Sequence, residues 1–187
     1  MIKLSLMEKE DLIKIVQWND NKSADDLLQW AGPVFSYPLT LGQVENYYLN
    51  EAKRENSNVS IYKIALMETD EIIGTIEVRI TDEEQKIGRV CRFLIGSEDV
   101  RGKGIGTEVL KEAVRICFEE LKLEKVTLGV FDFNQSAIKC YEKVGFRKVK
   151  FTENARKSDH GYWSLYEMAI SKEEWGKSWL RQAYMII

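Results

Sequence analysis

Apolar and polar positions alternate along residues 72–80, with Ile72, Gly74, Ile76, Val78 and Ile80 on one side and Thr75, Glu77 and Arg79 on the other. A period of two marks a strand with one apolar and one polar face. Residues 59–67, joined to it by the turn-forming Thr69-Asp70-Glu71, and residues 88–95 have the same strand character. From Ile105 the period becomes helical, and Ile105, Val109, Leu110, Ala113, Val114, Cys117 and Leu121 form one stripe. Residues 125–131 return to β-branched and aromatic side chains. A short helix over about 135–144 follows, capped by Asn134 in front and Gly145 behind. Two more strands, about 146–152 and 162–170, complete the series.

Toward the N-terminus, residues 2–6 predict a short strand and 8–18 a helix with Leu12, Ile15 and Val16 inward. Residues 29–38 read as an aromatic loop. Thr40-Leu41-Gly42-Gln43 is a capping box that opens a helix to about Arg54. Ser171-Lys172-Glu173-Glu174 is a second box, opening a last helix with Trp175, Trp179 and Ala183 in register. The sum is a mixed α/β layout of about seven strands, hairpins first and then two β–α units. With only two prolines, and no repeat or low-complexity segment, residues 1–187 predict a single domain.

Composition narrows the function classes. The chain is 44% hydrophobic and 30% charged, as ordinary globular domains are. A net charge of −3 argues against nucleic-acid binding through a bulk positive field, while leaving room for a local anion pocket. No apolar run reaches the roughly 18 residues of a membrane span. Acidic residues also follow the start too soon for a signal-peptide core, so a cytoplasmic protein is expected. Cys91, Cys117 and Cys140 are far apart and predict reduced, mostly buried thiols. The one histidine, His160, follows Ser158 and Asp159 directly, and sequence neighbours do not reach triad geometry. Neither a triad nor a metal site is expected.

The densest chemistry lies at Arg101-Gly102-Lys103-Gly104-Ile105-Gly106-Thr107, which runs into the central helix. Glycines free the backbone amides to converge, Arg101 and Lys103 add cations, and the helix start adds unpaired donors and its positive dipole end. Such a loop suits a phosphate or pyrophosphate. It is not a P-loop, which needs Gly, four residues and Gly-Lys-Ser/Thr. Nor is it the G-x-G-x-x-G dinucleotide fingerprint, because the glycines fall at 102, 104 and 106 and three strands precede them.

The spacing that does fit is Arg-x-x-Gly-x-Gly, read as Arg101, Gly104 and Gly106. About thirty residues on, Asn134 ends a strand and is followed by Ala137, Tyr141 and the pair Gly145-Phe146. In these two motifs and the helix and strand between them, residues 59–170 resemble the GNAT superfamily of acyl-CoA-dependent N-acyltransferases.

The resemblance implies a mixed sheet whose two central strands splay apart, flanked by four to five helices. It implies acetyl-CoA as co-substrate, its pyrophosphate wrapped by the loop from Arg101 to Thr107. The backbone of Phe93, Leu94 and Ile95 would pair with the pantetheine arm, and Asn134 would contact it from the second splayed strand. Tyr141 takes the place of the proton donor to the leaving thiolate. Glu77 is the candidate base, with a salt-bridged face shared with Arg79 as its alternative and Asp132 as fallback. Trp30, Phe35 and Tyr37 are candidates for the acceptor pocket. The expected reaction is acetyl transfer to a primary amine, of a small molecule or a protein N-terminus, by a monomer or homodimer. An acyl-CoA sensor without efficient catalysis is the alternative. A nucleotide-binding protein of another class is a third reading.

Overall fold

The structure, a computed structural model, describes residues 1–177. The expected positions of Trp179 and Ala183 in the last helix lie outside them. Seven strands form one sheet: β1 (Ile2–Leu6), β2 (Val59–Leu66), β3 (Ile72–Asp82), β4 (Ile87–Ile95), β5 (Lys125–Phe131), β6 (Arg147–Ser158) and β7 (Gly161–Ser171). Their order across the sheet is β1-β2-β3-β4-β5-β7-β6. All neighbours are antiparallel except β4 and β5. The helices are α1 (Leu12–Gln17), α2 (Ala24–Ala31), α3 (Leu41–Tyr47), α4 (Ile105–Arg115) and α5 (Gln135–Val144). Both α3 and α4 end in a wider π-type turn, and residues 172–177 form a further helical turn.

The helical stripe of α4 packs into the main core. Val109, Leu110, Ala113, Val114 and Cys117 are fully buried against Ile64, Ile76, Val78 and Val126 of the sheet and Ile138 and Val144 of α5. A second core lies under α1 and α3, where Leu12, Ile15, Val44 and Tyr48 meet Val59 and Ile61 of β2. This second layer changes the expected polar face of β3. Thr75 and Glu77 are 3% and 1% exposed, because α1 and α3 roof the face that the alternation alone marks as solvated.

The caps behave largely as their sequences predict. Asn134 Oδ1 accepts from the Ala137 amide at 3.2 Å, Gly145 ends α5 at a φ of +112°, and Phe146 behind it is buried. Ser171 and Glu174 close their box in both directions, at 3.2 and 3.0 Å. Thr40 caps α3, but Gln43 does not complete the box. Its carboxamide accepts from the Ser36 amide and donates to the Pro38 carbonyl, tying down the loop around the cis Tyr37–Pro38 bond. The expected aromatic loop at 29–38 is helical in its first part. Ser23 and Asp26 form a capping box that starts α2, which carries Trp30.

Candidate active site

β4 and β5 pair only over Ile87↔Lys125, Gly88↔Val126 and Arg89↔Thr127. Beyond Arg89 and Thr127 the two strands part, leaving their facing edges without strand partners. The gap widens into a cleft of about 700 Å³ that reaches from Trp18 and Trp30 to the start of α4. Unpaired strand edges offer alternating N–H and C=O groups to an extended, amide-bearing ligand. Phe93, Leu94 and Ile95 all line this cleft, as do Val130 and Phe131 opposite.

At its far end lies the glycine loop. Gly102 and Gly104 have φ values of +76° and +82°, a region that L side chains enter only at a cost. Gly106 needs no such freedom and already belongs to α4. The amides of residues 102 to 106 donate to no protein acceptor among the described residues, whereas Thr107 and Glu108 bond back to the Gly104 carbonyl. Open N–H groups at a helix start are of the kind that suits an anion. Arg101 braces the loop: its guanidinium donates to the Ile95 carbonyl at 3.1 and 2.8 Å and pairs with Glu98. Lys103 is exposed and does not line the cleft.

Tyr141, on α5, faces the cleft with its ring packed beside Phe146. Its hydroxyl has no hydrogen-bond partner among the described residues. Burial pushes its phenol well above the ordinary tyrosine range, so it stays protonated. Asn134 also lines the cleft, but its Oδ1 is engaged as the α5 cap by Ala137 and Ser136. Burial raises all three thiols, and pushes Cys117 to about 12, so none is poised as a thiolate. Cys91 and Cys140 do line the cleft, and Cys140 Sγ touches Thr107 Oγ1 at 3.4 Å.

Glu77 is placed differently from what its strand position implies. It points away from the cleft into a small cavity of about 20 Å³ beneath α1 and α3. Both of its oxygens are occupied. Arg92 binds them in a fork, through Nε at 2.7 Å and through Nη2. Tyr47 donates its hydroxyl at 2.8 Å, and Arg79 Nε approaches at 3.4 Å. Arg79 in turn reaches Tyr47 Oη and Glu51 at 3.0 and 2.9 Å. The salt-bridged alternative therefore describes this carboxylate, with Arg92 as an additional and closer partner. A carboxylate so enclosed has no lone pair free for an incoming amine. Asp132, the fallback, sits in the turn after β5 and does not line the cleft.

The three aromatic candidates separate. Trp30 lines the cleft, and its Nε1 donates to Asn19 Oδ1 at 3.0 Å. Phe35 lies behind it against Tyr47, at a ring distance of 5.4 Å, and faces the small cavity. Tyr37 is 56% exposed and lines a separate hollow between α2 and the β6–β7 turn. That turn holds Ser158, Asp159 and His160, whose backbone contacts leave no triad geometry.

The family model for the acetyltransferase (GNAT) family matches residues 24–146. The chain belongs to this family. Among curated GNAT relatives, the aminoglycoside N(6')-acetyltransferase type 1 of Klebsiella pneumoniae is 28% identical over 79% of this chain and 74% of its own length. The uncharacterized N-acetyltransferase YokL of Bacillus subtilis is 36% identical, over 49% of this chain and 54% of its own. A spermine/spermidine N(1)-acetyltransferase of Bacillus subtilis is 38% identical over 35% of this chain and 44% of its own. The GNAT fold is shared with the spermidine N-acetyltransferase of Vibrio cholerae, solved with CoA and spermine. That superposition has a TM-score of 0.80 at 18% identity and covers 93% of this chain and 97% of the other. The reaction class that comes with the family is acetyl transfer to an amine.

Several cleft residues of this GNAT chain carry no signal in sequence. Trp18 and Asn19 follow α1 as unremarkable helix-end residues, yet both line the cleft. Trp18 lies so close over Gly96 that a Cβ there would come within 2.0 Å of the indole. That approach joins residues nearly eighty positions apart, so nothing local in the sequence announces it. Arg92 is the other omission, a non-glycine residue with a φ of +45° inside β4. Among the described residues no helix is long and apolar enough to cross a membrane, and no cluster of His, Cys, Asp and Glu is arranged to hold a metal.

Proposed function

We propose that this protein transfers the acetyl group of acetyl-CoA to an amine of a small acceptor, with Tyr141 donating the proton to the departing sulfur. One observation carries the reading: a glycine loop with open backbone amides, a splayed strand pair and a cleft-facing phenol without a partner among the described residues line a single cleft. The residues fit the donor in kind. Residues 102 to 106 would hold the pyrophosphate by their amides, with Lys139 and Lys143 of α5 on the same cleft. The open edge of β4 at Phe93, Leu94 and Ile95 would pair with the amides of the pantetheine arm. Bound there, acetyl-CoA supplies a thioester carbonyl open to attack by a neutral amine, with a thiolate as leaving group.

Tyr141 then has a defined task. A thiol with a pKa near 8.5 leaves more readily if a neighbouring acid supplies a proton as the bond breaks. The half-buried phenol keeps its proton across the working range and carries it at a hydroxyl with no competing partner among the described residues. The named relatives are enzymes, which supports catalysis rather than a sensor role. The acceptors in their names, an aminoglycoside and a polyamine, are small molecules with several amines, and an acceptor of that class is our reading. Release of free thiol from acetyl-CoA, followed across polyamines, aminoglycosides, amino acids and peptide N-termini, tests it. Acceptor-dependent release with the first two classes is expected. Acetyl-CoA binding without release under any acceptor would replace the enzyme reading with the sensor.

Among the described residues, neither Glu77 nor Asp132 lines the cleft to act as base. Asp26 is the one acidic residue lining it among the described residues. Its pKa is lowered, first by the Ser23 amide and then by the Ser23 hydroxyl. The amine therefore loses its proton to solvent before attack. This costs about 1.4 kcal/mol for an amine of pKa near 8 and about 4.6 kcal/mol near 10.4, at pH 7. The pH dependence of kcat/KM should accordingly follow the acceptor. It should rise about tenfold per unit up to the amine's own pKa, and its midpoint should shift when an acceptor of different pKa is used. The raised Tyr141 pKa sets the sign at the alkaline end, with no fall before about pH 10. A midpoint that stays near pH 5–6 with every acceptor would reveal a protein base.

A further inference from the structure

The register between β3 and β4 breaks once inside the cleft wall. Thr75 pairs with Leu94 and Glu77 with Cys91, so the single residue Ile76 stands opposite both Arg92 and Phe93. Two residues against one is a β-bulge, and it bends the strand that carries it. Its first residue, Arg92, has a φ of +45°, a conformation that persists only where surrounding contacts over-determine it. The Arg92 guanidinium lies in the fork of Glu77, its Cζ sits 5.0 Å from the centre of the Tyr47 ring, and its side chain is 13% exposed. Arg92, with Trp30, also forms the wall that the small cavity under α3 shares with the main cleft. Immediately after it, Phe93 and Leu94 present the strand edge to the cleft.

We infer that the buried Glu77–Arg92 pair is a positioning device that locks the β4 bulge, so that the backbone of Phe93 and Leu94 is held at the angle that receives the thioester arm. Glu77 is thus a positioning residue acting through Arg92, with Tyr47 as the lid on the pair. Charge balance fits this role: Glu77 and Glu51 face Arg92 and Arg79, so the network is neutral as a whole and needs no ligand to complete it. The inference rests on the acetyl-CoA reading above, and its test separates the two.

Glycine adopts a positive φ freely, whereas alanine does not. Arg92→Ala removes the clamp and leaves the strain, while Arg92→Gly removes clamp and strain together. If the pair acts by holding the bulge, Arg92→Ala should weaken acetyl-CoA binding by about tenfold, the population shift expected of a conformational cost of this class. Arg92→Gly should regain most of that loss, and kcat should follow the same order. Because either variant leaves the Glu77 carboxylate buried without its partner, the same comparison is made with Glu77→Gln as background. Calorimetric titration of acetyl-CoA, without acceptor, reads both pairs. Glu77→Gln alone should lower kcat without moving the midpoint of the pH–rate profile. Equal loss in the alanine and glycine variants would overturn the inference, since Arg92 would then act through its own charge on the ligand. A shifted acid limb in Glu77→Gln would overturn it by making Glu77 the base, and failure of all variants to fold would make the pair a general prop of the domain. A wild-type protein that does not bind acetyl-CoA at all refutes the parent reading instead.

Discussion

Tyr141→Phe is expected to lower kcat by about 10²–10⁴-fold and to leave the dissociation constant for acetyl-CoA unchanged, the signature of a proton donor used only in the transition state. The substitution removes one oxygen that bonds to nothing else among the described residues. The ring remains, and with it the packing beside Phe146 and against the main core. Stability should therefore barely change, so a drop in turnover cannot be blamed on unfolding. Steady-state kinetics with a reactive acceptor, alongside calorimetry with acetyl-CoA, separate the two quantities. The defect should also shrink with an acyl donor whose thiol is more acidic, because a better leaving group needs less help. Unchanged turnover in Tyr141→Phe would remove Tyr141 from the mechanism.

Gly104→Val should be the most damaging single change in donor binding, weakening acetyl-CoA by about 10- to 100-fold through backbone conformation alone. Gly104 stands at the cap position of α4 with a φ of +82°. A Cβ built there meets nothing within 4 Å, so no steric clash enters the account. What a β-branched side chain does is disfavour the left-handed conformation, and relaxing it re-aims the amides of residues 104 to 106 away from their common point. The loop is exposed and contributes no fully buried side chain, so the melting temperature should fall by only a few degrees. Gly104→Ala, unbranched, should show the same pattern more weakly. A Kd within twofold of wild type would mean that the phosphates are held elsewhere, by Lys139 and Lys143 for instance.

Much of this protein is legible in local sequence because the forces concerned are local. The period of α4, the Asn134 and Gly145 caps of α5 and the Ser171–Glu174 box each depend on residues at most a few positions apart, and all stand as expected. The two motifs that carry the family likeness are also local, one a loop into a helix and the other a strand end into a helix. One helix and one half of a capping box differ from expectation. Helix α2 is opened by Ser23 and Asp26, a box whose acidic partner is shorter than the usual glutamate. Gln43 satisfies a loop rather than its own cap because Ser36 and Pro38 come near enough to compete.

The residues that differ most from expectation are those whose role is set by partners remote in sequence. Alternation alone places Glu77 on a polar face and makes it available as a base. Tertiary packing brings Tyr47 from thirty residues upstream and Arg92 from fifteen downstream onto its oxygens and seals it under α3. Trp30, Phe35 and Tyr37 lie within eight residues of one another, yet only Trp30 lines the main cleft, because α2 ends between it and the other two. By itself, the sequence determined the strands, the central helices, the glycine loop and the family, all properties of short-range periodicity and backbone freedom. Only the tertiary structure decided which carboxylates are free and where the two central strands part. Burial, charge pairing and strand register are settled by contacts between segments that the chain order keeps apart.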